Sequence, residues 1–115
     1  MDLVKKTQNI GISEINIFHN PSEGVKNSDV IYTDVWASMG QKEEAVERRK
    51  IFEPFQVNKK LIESSQRNTF FMHCLPAERG VEVTDEVCDS KNSIMFDQAE
   101  NRMHAQNAIM LELLD

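Results

Sequence analysis

The sequence predicts an α/β fold with a mostly parallel sheet. Short β-prone runs alternate with helical stretches: Asp29-Val30-Ile31-Tyr32-Thr33, Thr69-Phe70-Phe71-Met72 and Ser93-Ile94-Met95-Phe96 are separated by charge-rich, capped segments. Strands that alternate with helices imply right-handed crossovers and parallel pairing. Each run is followed at once by a polar, turn-prone segment that carries a chemically capable side chain. Ligands bind at the carboxyl ends of strands in open α/β sheets.

The elements follow in order. Residues 2–9 read as a short helix, broken by Asn9-Ile10-Gly11-Ile12. Ile15-Asn16-Ile17-Phe18 reads as a short strand. Asn20-Pro21-Ser22-Glu23 opens a helix to about Asn27, with asparagine as cap, proline at the first helical position and glutamate three residues after the cap. A strand over 30–34 follows. Residues 41–53 carry Glu43–Glu47 and Glu44–Arg48 at helical neighbour spacing, with Ala45, Val46, Arg49 and Phe52 as the expected inner side. Pro54 ends that helix. A helix over 58–65 leads to a strand over 69–73, and Thr84 caps a helical turn. After a strand over 93–96, Asp97 is expected to cap the last helix, with Glu100 in the capping-box position. Met103, Ile109, Met110, Leu113 and Leu114 give that helix an apolar stripe. The whole pattern predicts a three-layer, Rossmann-like open sheet flanked by helices, present as a partial domain.

Length and composition exclude several classes. The 115 residues suffice for one small domain. Apolar content of 40% and charged content of 28% are those of a globular chain. The net charge of −6 argues against nonspecific nucleic-acid binding, which needs a basic face. Cys74 and Cys88, the only cysteines, make neither a disulfide scaffold nor a Cys-x-x-Cys metal knuckle. A reducing compartment suits them. No apolar run approaches the roughly 20 residues that span a bilayer, so no membrane association is expected. The start lacks the apolar stretch of a secretory signal, so the expected location is cytoplasmic. Four glycines form no Gly-x-Gly-x-x-Gly fingerprint and no P-loop, and no cofactor is expected. No metal site is assigned, because His, Cys and carboxylates do not cluster in the sequence.

Three segments could carry chemistry. Asp34, at a strand end beside Val35 and Trp36, needs a cationic or hydrogen-bonding partner. Ser38-Met39-Gly40 could turn backbone N–H groups toward a ligand carboxylate. Equally, Asp34 could cap the following turn and Ser38 or Gly40 start the helix over 41–53. His73 and Cys74 are adjacent, so strand alternation points them to opposite faces and argues against a nucleophile–base dyad. Cys74 could be a core cysteine or lie beside a reacting amine. A cis Leu75–Pro76 bond would present the Cys74 and Leu75 carbonyls as acceptors for a ligand –NH₂. Arg102 could pair with nearby carboxylates or bind a ligand oxygen near the helix start.

Together these segments resemble the carboxyl-terminal part of ornithine carbamoyltransferases. The matching pieces are Asp34-Val35-Trp36-Ala37-Ser38-Met39-Gly40, His73-Cys74-Leu75-Pro76-Ala77 and Phe96-Asp97-Gln98-Ala99-Glu100-Asn101-Arg102. The resemblance implies transfer of the carbamoyl group of carbamoyl phosphate to L-ornithine, giving L-citrulline and phosphate. It implies that Asp34, Ser38 and Met39 bind ornithine. It places Cys74 near the δ-amine, where with Asp34 it helps remove a proton. The Cys74 and Leu75 carbonyls would hold the carbamoyl –NH₂, and Arg102 would contact carbamoyl phosphate. Glu78 departs from the histidine more often expected after the proline motif.

By the same resemblance, residues 1–115 are a partial ornithine-binding domain, with the amino-terminal carbamoyl-phosphate domain absent. The expectations are no activity for this chain alone, self-association through the apolar stripe, and a parent enzyme that is a homotrimer or a multiple of trimers. A carbamoyltransferase for a related amine such as putrescine, or a non-catalytic α/β amino-acid-binding module, are the alternatives.

Overall fold

A computed structural model describes residues 14–37 and 42–114. Helix α1 spans Pro21–Gly24 and strand β1 Val30–Thr33. Helix α2 (Lys42–Phe52) runs into a 3-10 turn at Glu53–Phe55. Helix α3 (Lys59–Ser64), strand β2 (Phe70–His73), helix α4 (Asp85–Cys88) and helix α5 (Met95–Leu114) complete the order. The expected helix over 2–9 lies outside the described residues, as do Ser38 and Met39.

Local chemistry explains most boundaries. Asn20 Oδ1 accepts the Ser22 N–H at 3.0 Å, and Pro21 occupies the first turn of α1. Asn58 caps α3 by accepting the Leu61 N–H at 3.0 Å. Helix α2 gives way one residue before Pro54, as a proline of this kind requires. Thr84 sits at the cap of α4, but its side chain makes no capping bond.

Strands β1 and β2 pair in parallel, with Ile31 opposite Phe71 and Thr33 opposite His73. Thr69 Oγ1 donates to the Ser28 carbonyl at 2.8 Å and ties the two strand starts together. Ile31, Val57, Leu61, Phe71, Val83, Val87, Cys88 and Met95 form the core on one side of this pair. Val30, Tyr32 and Phe70, of opposite parity, are exposed. Parallel sheets normally bury both faces.

Four expectations are corrected. Residues 15–18 are not assigned to a strand. Residues 93–96 are not a strand either. The Phe71 N–H reaches the Asn92 carbonyl and the Ile94 N–H reaches the Phe71 carbonyl, both at 2.9 Å. That makes one parallel bridge, Phe71 to Ser93, before the chain turns into α5. Helix α5 therefore starts at Met95, and Asp97 lies in its first turn instead of capping it. Of the inner side expected for α2, Val46 is 65% and Phe52 38% exposed. Phe52 instead stacks on Trp36, ring centres 6.1 Å apart.

The stripe on α5 is unpacked. Met103, Ile109, Met110, Leu113 and Leu114 are all exposed, while Met95 at the helix start is buried. No helix among the described residues is long and apolar enough to cross a membrane.

Candidate functional site

Parallel pairing brings both strand ends to the same edge. Thr33 and His73 are the last paired residues, so Asp34 and Cys74 leave the sheet side by side. Their side chains meet: the Cys74 thiol hydrogen-bonds to the Asp34 carboxylate. That bond, with the Val35 N–H donated to Asp34 Oδ1 at 2.7 Å, holds the Asp34 carboxyl below its ordinary range. The same bond, with partial burial and the Asp34 charge, pushes the Cys74 thiol up. The two shifts agree on one arrangement, S–H donating to an anionic carboxylate.

His73 is fully buried, and strand alternation does not separate it from Cys74. The donor atoms of Asp34, His73 and Cys74 lie within 4.8 Å of one another. Alternation holds only inside a strand, and β2 ends at His73. The clustering that the sequence does not show is therefore present. Its atoms are nevertheless in use: His73 Nδ1 accepts the Leu75 N–H at 2.8 Å, and Asp34 accepts from Val35 and Cys74. The cluster is a hydrogen-bond network, and no metal is assigned to it.

The loop after β2 is held from both ends. Leu75 takes a left-handed backbone (φ 56) and the Leu75–Pro76 peptide is cis. The Leu75 N–H is fixed by His73, and the Glu78 N–H donates to Glu82 Oε1 at 2.5 Å. Glu82 is fully buried, with Oε1 3.3 Å from His73 Nε2, a contact without the alignment of a hydrogen bond. Glu78, the residue that departs from the expected pattern, pairs with Arg49 of α2 at 3.0 Å.

A cavity of about 590 Å³ opens beside Cys74, lined by Tyr32, Met72, Gln98, Asn101 and Arg102 among others. The structure thus brings Cys74 and Arg102 to one cavity and Asp34 against Cys74. Sequence reasoning missed the Tyr32–Gln98 hydrogen bond (3.0 Å) and the Glu82–His73 contact. Tyr32 was open to detection, since it shares strand parity with Asp34.

Comparisons agree with this geometry. Residues 1–113 match the family described as aspartate/ornithine carbamoyltransferase, Asp/Orn binding domain. A chloroplastic ornithine carbamoyltransferase of Pisum sativum is 62% identical over 111 residues, covering 96% of this chain and 30% of its own length. An ornithine carbamoyltransferase of Thermococcus kodakarensis is 66% identical over 94 residues, covering 82% of this chain and 30% of its own. Among solved structures, the Pyrococcus furiosus ornithine carbamoyltransferase superposes with a TM-score of 0.78 at 61% identity, over 85% of this chain and 31% of that one. An N-acetyl-L-ornithine transcarbamylase mutant superposes with a TM-score of 0.77 at 31% identity, over 95% of this chain and 33% of that one. The chain spans about a third of the length of these relatives. On this match the chain belongs to the aspartate/ornithine carbamoyltransferase family, within its Asp/Orn-binding domain.

Proposed function

We propose that this chain forms the ornithine side of an enzyme that transfers the carbamoyl group of carbamoyl phosphate to the δ-amine of L-ornithine. The amine nitrogen bonds to the carbamoyl carbon, the C–O bond to phosphate breaks, and phosphate leaves with the electron pair. The amine proton passes toward the Cys74–Asp34 pair. Asp34, Ser38 and Met39 bind the amino acid. The Cys74 and Leu75 carbonyls hold the carbamoyl –NH₂, and Arg102 contacts carbamoyl phosphate. The protein's contribution is orientation of a neutral amine in attack geometry.

One observation carries this reading: a thiol that lines a cavity together with a guanidinium and has an anionic carboxylate against it. An anionic Asp34 favours a free α-ammonium over an acetylated nitrogen, which separates ornithine from N-acetyl-L-ornithine. It does not by itself exclude putrescine, and the Ser38-Met39 segment, as a carboxylate site, supplies that distinction.

The test is citrulline formation. This chain alone is expected to make none. Joined to the carbamoyl-phosphate domain of a relative, it is expected to make citrulline from ornithine, with putrescine and N-acetyl-L-ornithine poor substrates. Asp34→Ala in that enzyme is expected to lower kcat/KM about 100-fold or more, the usual scale for a lost proton-handling or positioning group. Ornithine turnover unaffected by Asp34→Ala would overturn the reading. No turnover with any amine would favour a non-catalytic amino-acid-binding module.

Assembly belongs to the same proposal. The exposed stripe on α5 supports self-association of this chain and packing within a trimeric parent enzyme. Light scattering at rising concentration should show mass above the monomer, and Met103→Lys with Met110→Lys should lower it. A strictly monomeric chain would remove the self-association reading.

A further inference from the structure

Tyr32 and Gln98 come from distant parts of the chain and meet at the wall of the cavity that holds Cys74. Tyr32 lies on the exposed face of β1, two residues before Asp34 and on the same parity. Gln98 lies in the first turn of α5. Gln98 Nε2 donates to the Tyr32 hydroxyl oxygen at 3.0 Å. A phenol that accepts on oxygen keeps its own proton free to donate elsewhere. Tyr32 and Cys74 line the same cavity, where the hydroxyl acts on the thiol as a donor that lowers its pKa. Gln98, Tyr32, Cys74 and Asp34 therefore stand in series, each beside the next, from the start of α5 to both strand ends.

We propose that Tyr32 and Gln98 are positioning residues for Cys74: the Gln98 amide orients the Tyr32 hydroxyl, and the hydroxyl fixes the Cys74 sulfur against Asp34. The proposal rests on the reading of Cys74 as the group beside the reacting amine.

The direction of each bond gives the two neighbours opposite effects. Asp34 accepts from S–H and so favours the thiol. Tyr32 donates to sulfur and so favours the thiolate. A sulfur held between an acceptor and a donor has one preferred position. The alternative amide orientation, with Gln98 Oε1 accepting the phenol proton, would take that donor away from sulfur. In the structure Nε2 is the group turned to Tyr32, and Oε1 is buried without a hydrogen-bond partner among the described residues.

The other charged or titratable groups around the sulfur stay constant in the test. They are Asp34 just after β1, His73 on β2, and Asp97 and Arg102 on α5.

The experiment is the pH profile of Cys74 alkylation by iodoacetamide on the whole chain. Peptide mass spectrometry separates Cys74 from Cys88, which is buried. Tyr32→Phe removes the hydroxyl and keeps the ring. Its midpoint should move to higher pH, and at neutral pH its alkylation should slow about threefold or more, as expected when a thiolate loses a donor. Gln98→Leu leaves the hydroxyl but frees it to rotate, and should shift the midpoint the same way by less. Circular dichroism should be unchanged in both.

Profiles that superpose on the unmodified protein in both variants would overturn the proposal, because a purely structural Tyr32–Gln98 bond would change stability and leave the thiol alone. A shift in Gln98→Leu with none in Tyr32→Phe would overturn it too. The readout contains no ornithine and no carbamoyl phosphate, so its failure is distinct from failure of the transferase assay.

Discussion

The loop after β2 is fastened on two sides, and the two fastenings differ in kind. On the inside, Glu82 and His73 have no solvent exposure; Glu82 accepts the Glu78 N–H and stands 3.3 Å from His73 Nε2. On the outside, Arg79 makes a fork to Asp89 (2.8 and 2.7 Å) and reaches Asp85 at 2.9 Å, all near the surface. Both sides hold the stretch between the Cys74 loop and α4. A buried polar group has only its protein partners, so losing one leaves an orphan. A surface ion pair exchanges its partner for water and counterions, so losing it costs little.

The inner fastening should give the largest effect. Glu82→Leu has similar bulk but leaves the buried Glu78 N–H without its acceptor and removes the contact with His73. The expected destabilisation is roughly 1–3 kcal/mol, the scale for leaving a buried donor without its acceptor. Glu82→Gln keeps an acceptor for Glu78 and should recover more than half of that loss. Urea unfolding of the two variants checks both. A Glu82→Leu protein as stable as the original would show that the inner contact carries no more than the outer one, and the contrast would disappear.

The same contrast governs what the sequence revealed. The strand-end placement of Asp34 and Cys74 was legible because hydrophobic runs bounded by polar turns mark strand ends. Parallel pairing then does the rest, since two parallel strands in register end together. The cap at Asn20 was legible for a similar reason: it is a local bond between neighbours in sequence. Glu82 was not legible. A glutamate is rarely buried, and the Glu78 N–H that it accepts, with a histidine nine residues earlier brought against it by the loop, is visible only in the fold. Residues 93–96 misled because Ile94, Met95 and Phe96 are as good in the first turn of a helix as in a strand; one bridge to Phe71 was all the strand that formed. The inner side assigned to α2 failed because an apolar stripe predicts a buried face only where something lies against it. The described residues place Trp36 on Phe52 and leave Val46 to solvent.

The outer fastening should give the smallest effect, with a pH signature that identifies it. Arg79 holds the Asp89 carboxyl below its ordinary range through the forked hydrogen bond. A carboxyl that is more acidic in the folded state than in the unfolded chain, where it titrates near about 3.9, favours folding only while it is ionised. That contribution is fully present above the unfolded value and is lost as pH falls through the lower folded value. Arg79→Met removes it. The variant should unfold at a slightly lower temperature than the original at pH 7, by much less than Glu82→Leu. The difference should shrink below about pH 4, as both proteins approach a protonated Asp89. High salt at pH 7 should narrow the same gap, because the pair is exposed to screening ions. A gap that persists unchanged in strong acid and high salt would mean that Arg79 works through packing of its carbon chain against α4, not through charge. The outer side of the loop would then share the inner side's dependence on burial.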